Sequence, residues 1–239
     1  MNLLLRTRLS WYFALCFMCF FDLALIMDGV TFSSANLTLF SVNSFLYGFY
    51  IAPVLAAQKA RTDELARIIR AEANALFDVL IKTKSLPRKS RNHVQDMVDD
   101  YLQASFQQRK PAEGEEEYEK LITYCLEYDG KEGEQVEKIL NGLVANQLNR
   151  SQLSQQLSNR VFSNEWLIML VLFTITISFV LLIDVGESIH MMLVKALLCT
   201  GLSMLMINLV KLSTLTHKKA KNLWDPLDKL SASRFRRMD

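Results

Sequence analysis

The chain has 239 residues, a formal net charge of +2, 51% hydrophobic residues and 22% charged residues. The low content of glycine and proline argues against collagen-like, low-complexity and loop-rich all-β proteins. The balanced charge gives no indication of nucleic-acid binding. Four cysteines are too few for a disulfide scaffold. A mean hydropathy of +0.14 is high beside this charge content, which indicates that apolar and charged residues are segregated along the chain. The composition predicts a helical membrane protein with one sizeable soluble insert.

Four stretches are long and apolar enough to cross a bilayer as helices, which takes about 20 residues each. They are residues 9–27, 37–57, 165–183 and 189–212. A cleaved signal peptide is the alternative for the first stretch, because MNLLLRTR precedes an apolar run. That run is too long, contains Asp22 and lacks a convincing cleavage site, so we expect it to be retained as a span.

Each of these stretches has basic residues at only one of its two ends. They are Arg6, Arg8, Lys59, Arg61, Arg160, Lys211, Lys218, Lys219 and Lys221. The two connectors, residues 28–36 and 184–188, contain no lysine or arginine. By the positive-inside rule, both termini and the insert should be cytoplasmic.

Residues 58–163 form the predicted cytoplasmic insert, which is helical by its apolar spacing. Its first helix continues span two until Leu86-Pro87, and three more are centred on residues 94–102, 115–125 and 136–157. Because two of these four helices extend spans, we expect a thin core. Their amphipathic stripes then need a partner surface, which predicts a homo-oligomer.

Several short motifs accompany this arrangement. They are RAEANALFDVL at residues 70–80, Leu86-Pro87 followed by Arg88 and Arg91, DDYL at residues 99–102, and the tail WDPLDKLSASRFRRMD at residues 224–239. With two spans on each side of a helical insert, the chain resembles the bestrophin-like family, four-span bacterial membrane proteins recorded as a domain of unknown function. The resemblance covers the whole chain and marks Glu72, Asn74, Pro87 and Arg91 as family-motif residues. FSNEW, residues 162–166, lacks the proline that the family places before this tryptophan.

The resemblance implies a distant relation to bestrophins, which are pentameric ion channels whose second span lines the pore and forms a hydrophobic neck. It further implies a bacterial inner membrane as the location, and ions and lipids as partners. Ser41, Phe45, Phe49 and Pro53 share one face of span two, so a neck would map onto Phe45 and Phe49. Rings of apolar side chains gate conduction by dewetting. Two phenylalanines at this spacing also suit packing against another span or lipid.

Asp22, Asn43 and Lys195 are the polar residues whose position inside an apolar span most needs an explanation. Each is about six residues from the outer end of its span, or roughly 9 Å. We hypothesise that Asp22 and Lys195 form an intramembrane ion pair, with Asn43 nearby or lining an aqueous vestibule of the pore. Alternatively, Lys195 snorkels to the outer surface while Asp22 is protonated or reaches the connector.

The basic tail, residues 213–239, begins with Lys218, Lys219 and Lys221 directly after span four. These lysines are candidates for binding anionic lipid head groups. Positive-inside topology together with a docked helix, marked by Leu223, Leu227 and Leu230, is the competing interpretation.

No residue constellation argues for an enzyme, a cofactor or a metal. Cys16 and Cys19 have redox-motif spacing but lie inside a span, and the three histidines lie in separate segments. Glu72, Asp99 and Asp100 suit salt-bridged or solvated helix positions better than acid–base catalysis. The sequence therefore predicts an all-α integral membrane protein that forms a homo-oligomer, and the resemblance implies that it is a pentameric ion channel with a pore lined by span two. A non-conducting structural or regulatory protein, whose cytoplasmic helices bind a partner, is the alternative.

Overall fold

The computed structural model describes residues 8–27, 29–107, 114–158, 161, 163–184, 186, 188–216 and 222–231. Eight α-helices are found among them. They are α1 (Leu9–Ile26), α2 (Ser34–Lys82), α3 (Arg88–Leu102), α4 (Glu115–Leu126), α5 (Gly133–Ser158), α6 (Ser163–Leu182), α7 (Ile189–Ser213) and α8 (Asp225–Ser231). Within the described residues, extended pairing is limited to one isolated parallel bridge between Val30 and Ile183. The all-helical class is confirmed.

Four of these helices, α1, α2, α6 and α7, are long and apolar enough to cross a membrane. Their bounds follow the predicted spans within a few residues, except that α2 extends 25 residues beyond the predicted end of span two at residue 57. Leu86-Pro87 stops this helix as expected: α2 ends at Lys82, a short 3-10 turn follows over Thr83–Ser85, and Pro87 precedes α3. The predicted membrane helices are therefore confirmed as helices.

The chain divides into two compact units. The membrane unit comprises Met1–Ala60 and Arg160–Ala220, and the insert unit comprises Arg61–Asn159 and Lys221–Asp239. The boundary between them falls inside α2. The tail helix α8 belongs to the insert unit, where it contacts α3 through a short apolar stripe that includes the buried side chains of Leu227 and Leu230. The docked helix in the tail is thus present.

In the membrane unit, α1 lies along α7, and α7 also contacts α6. The ammonium group of Lys211 lies 4.7 Å from the centroid of the Tyr12 ring, so a cation–π contact joins α7 to α1. The apolar core holds α2 against α6 and α7, with Tyr47, Met169 and Leu209 buried together.

The two connectors of the membrane unit are joined through their backbones. The Val30 amide donates to the Leu182 carbonyl at 2.7 Å, and the Asp184 amide donates to the Val30 carbonyl at 3.1 Å. Gly29 lies so close that a Cβ atom there would be 2.5 Å from the Cα atom of Asp184. Only glycine fits this approach without a shift of the connector.

The insert unit buries its amphipathic stripes against one another. Its largest fully buried side chains are Leu65, Ile68, Ile69, Leu76, Tyr101, Tyr118, Leu121, Ile139, Leu143 and Leu153. The expectation of a thin core is wrong, because α3, α4, α5 and the extension of α2 each contribute to one shared apolar core. The stripes of the insert therefore supply no separate reason for oligomer formation.

This core predicts a contrast between two leucines on α5. Leu143→Ala removes a fully buried side chain and should lower the free energy of unfolding by about 2–5 kcal/mol, since it leaves a cavity. Leu148→Ala is the matched control, because that side chain is 64% exposed. Denaturant unfolding of the detergent-solubilised chain, followed by helical circular dichroism, measures both. Equal losses for the two variants would contradict the described core.

Candidate functional site

The face of α2 predicted to form a neck is uncovered in the single chain. Phe45 and Phe49 are 69% and 70% exposed, and their stacked rings have centroids 5.9 Å apart. Ser41 and Pro53, at the same spacing along the helix, are exposed as well. All four predicted positions therefore lie on one open face of the helix, which we call the phenylalanine face.

The opposite face of α2 is occupied by the other helices of the membrane unit. The Asn43 amide donates to the Thr176 hydroxyl at 2.8 Å and to the Leu172 carbonyl at 3.2 Å, both on α6. The Tyr47 hydroxyl donates to the Leu202 carbonyl of α7 at 3.4 Å. The structure thus separates Asn43 from Phe45 and Phe49, with which it was grouped as a pore residue. Its amide is engaged by a neighbouring span.

Asp22 and Lys195 are not brought together. Asp22 is exposed, Lys195 is only 4% exposed, and no ion pair joins them in the part of the chain that the structure describes. The buried face of α1 contains Ala24, and two residues correspond to about 200° around a helix, so Asp22 points away from that face.

Three of the family-motif residues are at or near the surface. Asn74 is exposed on α2, Pro87 is exposed just before α3, and Arg91 is half-buried, with its backbone amide donating to the Pro87 carbonyl at 2.9 Å. The lipid candidates Lys218, Lys219 and Lys221 lie outside the described residues. The fourth family-motif residue, Glu72, is different because it is fully buried.

Glu72 belongs to a buried polar cluster that joins four helices of the insert unit. The cluster consists of Glu72 on α2, Tyr101 on α3, Glu115 and Tyr118 on α4, and Asn146 and Arg150 on α5. The Tyr101 hydroxyl donates to Oε1 of Glu72 at 2.5 Å and accepts from Nε of Arg150 at 3.1 Å. One hydroxyl therefore links the carboxyl group of α2 to the guanidinium group of α5.

Arg150 is the centre of this cluster. Its Nη2 donates to Oε2 of Glu115 at 2.7 Å, and its Nη1 donates to the Gln147 side chain at 3.1 Å. The guanidinium carbon lies 3.7 Å from the centroid of the Tyr118 ring and 5.1 Å from that of Tyr101. Two aromatic faces and a charge-assisted hydrogen bond thus compensate the loss of hydration of a group that is only 6% exposed.

The environment of Glu72 favours its neutral form. Burial raises the pKa of this carboxyl group, and it outweighs the opposing effects of the Tyr101 hydrogen bond, the Arg150 charge and the Asn146 amide. Oε2 of Glu72 has no hydrogen-bond partner among the described residues. Burial also raises the pKa of Tyr118 to about 12, so its hydroxyl stays protonated and donates to the Leu143 carbonyl at 2.8 Å.

Glu72 is neither solvated nor in a direct ion pair, contrary to the expectation for this position. The helical spacing in the sequence already indicated that Glu72 is buried. Glu72 continues the apolar stripe formed by Leu65, Ile68 and Ile69 towards Leu76. Arg150 likewise occupies a stripe position of α5, between Leu143 and Leu153. A charged residue on the apolar stripe of each of two helices predicts that the two meet inside the core.

The cluster predicts that removing the guanidinium group destabilises the insert. Arg150→Met should lower the free energy of unfolding by about 2 kcal/mol or more, because Glu115 and Tyr101 lose a buried partner. Arg67→Met is the control, since the Arg67–Glu64 pair is exposed, and no measurable change is expected there. Urea unfolding of the full chain in detergent measures both variants. An Arg150→Met chain as stable as the wild type would contradict the role of the cluster.

Comparison with known proteins gives one match. Residues 11–217 match the Bestrophin-like domain, which covers all four membrane helices and the insert between them. No curated protein and no solved structure matches the chain. Since the domain accounts for most of the sequence, the chain belongs to the bestrophin-like family of membrane proteins.

Proposed function

We propose that this protein is a homo-oligomeric ion channel whose pore is lined by α2. The observation that carries the proposal is the phenylalanine face: two stacked phenylalanines that no other part of the described chain covers. The opposite face of the same helix is held by α6 and α7 through Asn43 and Tyr47. An oligomer that brings the phenylalanine faces of several copies around one axis would form a continuous apolar ring.

The composition of this face supports a pore. The phenylalanine rings lie between the exposed Ser41 and Pro53, and the exposed Gly48 lies beside them. A ring of phenylalanines between less apolar segments is the arrangement that closes a pore by dewetting. The family relation to bestrophins supports five copies per channel.

The orientation that we propose follows the basic residues. Both termini and the insert are cytoplasmic, and the connectors after α1 and after α6 are outside, in a bacterial inner membrane. The support is the absence of lysine and arginine from these two connectors, compared with the basic residues at the opposite ends of all four spans.

The channel proposal predicts a specific effect of Phe49→Ala. Truncating this side chain widens the apolar ring and weakens dewetting, so the conductance measured in planar bilayers with a salt gradient should rise several-fold or lose its closed state. Phe13→Ala is the matched control. Phe13 is also an exposed phenylalanine stacked on a neighbour four residues away, with ring centroids 6.3 Å apart, but it lies on α1. Its replacement should leave the conductance unchanged.

Two results would overturn the proposal. One is the absence of conductance from a purified oligomer of the wild-type chain, which would favour the structural or regulatory alternative. The other is a conductance that Phe49→Ala and Phe13→Ala change equally, because the pore would then not be lined by the phenylalanine face.

The orientation predicts which positions a membrane-impermeant maleimide reaches in intact cells. In a chain whose four native cysteines are replaced by alanine, Ser188→Cys should be labelled directly, since Ser188 is exposed in a connector. Asp129→Cys, exposed in the loop between α4 and α5, should be labelled only after permeabilisation. The reverse pattern would place the insert outside.

A further inference from the structure

The charges of the buried polar cluster do not balance when every group is in its usual state. It contains two carboxyl groups, Glu72 and Glu115, and one guanidinium group, Arg150. With both carboxyl groups ionised, the cluster carries one uncompensated negative charge. With one of them protonated, it is neutral. A buried site strongly favours the neutral arrangement.

We propose that Glu72 holds a proton in the folded insert, and that this proton is a pH-sensitive latch between α2 and the helices packed on it. The latch runs from Glu72 to Tyr101 on α3 and through Arg150 to α4 and α5. It is a property of the insert unit and does not depend on whether the protein conducts ions.

The hydrogen bonds assign the proton to Glu72 and not to Glu115. Arg150 donates directly to Glu115, whose side chain is half-exposed and therefore remains partly hydrated. Arg150 reaches Glu72 only through the Tyr101 hydroxyl. Glu72 is fully buried, and its Oε2 has no hydrogen-bond partner among the described residues. An ionised Glu72 would place a charged oxygen where no described residue donates a hydrogen bond to it, which is the costly state.

Among the described residues, the ionisable groups that act on Glu72 come from three of the surrounding helices. Tyr101 faces it from α3, Arg150 from α5, and Glu115 from α4. The nearby Tyr118 of α4 remains neutral. The non-ionisable Asn146 amide of α5 also favours the ionised form, but it makes no hydrogen bond to Oε2. The charge of Glu115 opposes the effects of the Arg150 charge and the Asn146 amide, and it favours a proton on Glu72.

An open groove in the insert unit lies next to the buried polar cluster. The groove has a volume of about 420 Å³ and lies between α2 and α5. It is lined by Ala75, Asp78, Lys82, Asn141, Gly142, Ala145, Asn146 and Asn149. Asn146 both lines the groove and interacts with Glu72, so the groove is adjacent to the cluster.

The direction of the pH effect follows from the raised pKa of Glu72 in the folded chain. A proton bound more tightly in the folded than in the unfolded state stabilises the fold. This contribution is fully present below the ordinary glutamate pKa of about 4.3, and it is lost as the pH rises through the higher folded-state value. Acid therefore tightens the contact of α2 with α3, and alkali loosens it.

Hydrogen exchange of the full chain in detergent, measured over a pH series and corrected for the intrinsic exchange rate, tests the latch. In the wild type, protection of the core amides of α2 and α3 should fall with rising pH, by up to about tenfold per pH unit, and then level off. Glu72→Gln, which is neutral at every pH, should abolish this dependence. The infrared C=O stretch of a protonated carboxyl group should be present in the wild type and absent from Glu72→Gln.

Glu115→Gln is the matched control within the same cluster. It should keep the pH dependence but move it to lower pH, because Arg150 then acts on Glu72 without an opposing charge. Tyr101→Phe should move it to higher pH, since the ionised carboxyl group loses its hydroxyl donor, and this variant keeps the test available if Glu72→Gln does not fold. A wild type without the infrared band, or variants that share the wild-type pH profile, would overturn the proposal.

Discussion

A guanidinium group cannot be buried unless its charge and its donors are compensated, and this constraint organises the insert unit. Arg150 meets it with a carboxylate and an aromatic ring from α4 and with a hydroxyl group from α3 that is itself bonded to α2. Each of the three contacts needs a defined distance and direction, so together they constrain the positions of the surrounding helices. The leucine and isoleucine core fills the space around this polar centre.

The long helix α2 satisfies two different chemical requirements along its length. In the membrane unit, its buried side uses hydrogen bonds from Asn43 and Tyr47 to neighbouring spans, where no water is present to replace them. In the insert unit, the buried side is mainly isoleucine and leucine, but it also contains Arg61, Thr62 and Glu72. In each half of the helix, polar side chains on the packed side are held by partners distant in sequence, such as Thr176 for Asn43 and Tyr101 for Glu72.

The fold was largely predictable from the sequence, whereas the site was only partly so. Apolar spacing identified the membrane spans and the helices of the insert, because burial imposes the helical period directly on the sequence. The pair Phe45 and Phe49 was identified through the resemblance to bestrophins, whose second span forms a hydrophobic neck. Asn43 and Asp22 were misplaced because depth in the membrane was considered without rotation around the helix axis. The cluster around Arg150 depends on contacts between helices far apart in sequence, such as Tyr101 with Glu72, which local spacing alone does not reveal.

The bridge between the two connectors has a consequence for how this protein can vary. Two hydrogen bonds from the backbone join hairpins that are about 150 residues apart in the chain, and neither uses a side chain. Val30, Leu182 and Asp184 could therefore be exchanged for many other residues without loss of these bonds. Gly29 is the exception, because no side chain fits beside Asp184. Most positions of this backbone bridge should therefore tolerate substitution, whereas Gly29 should not.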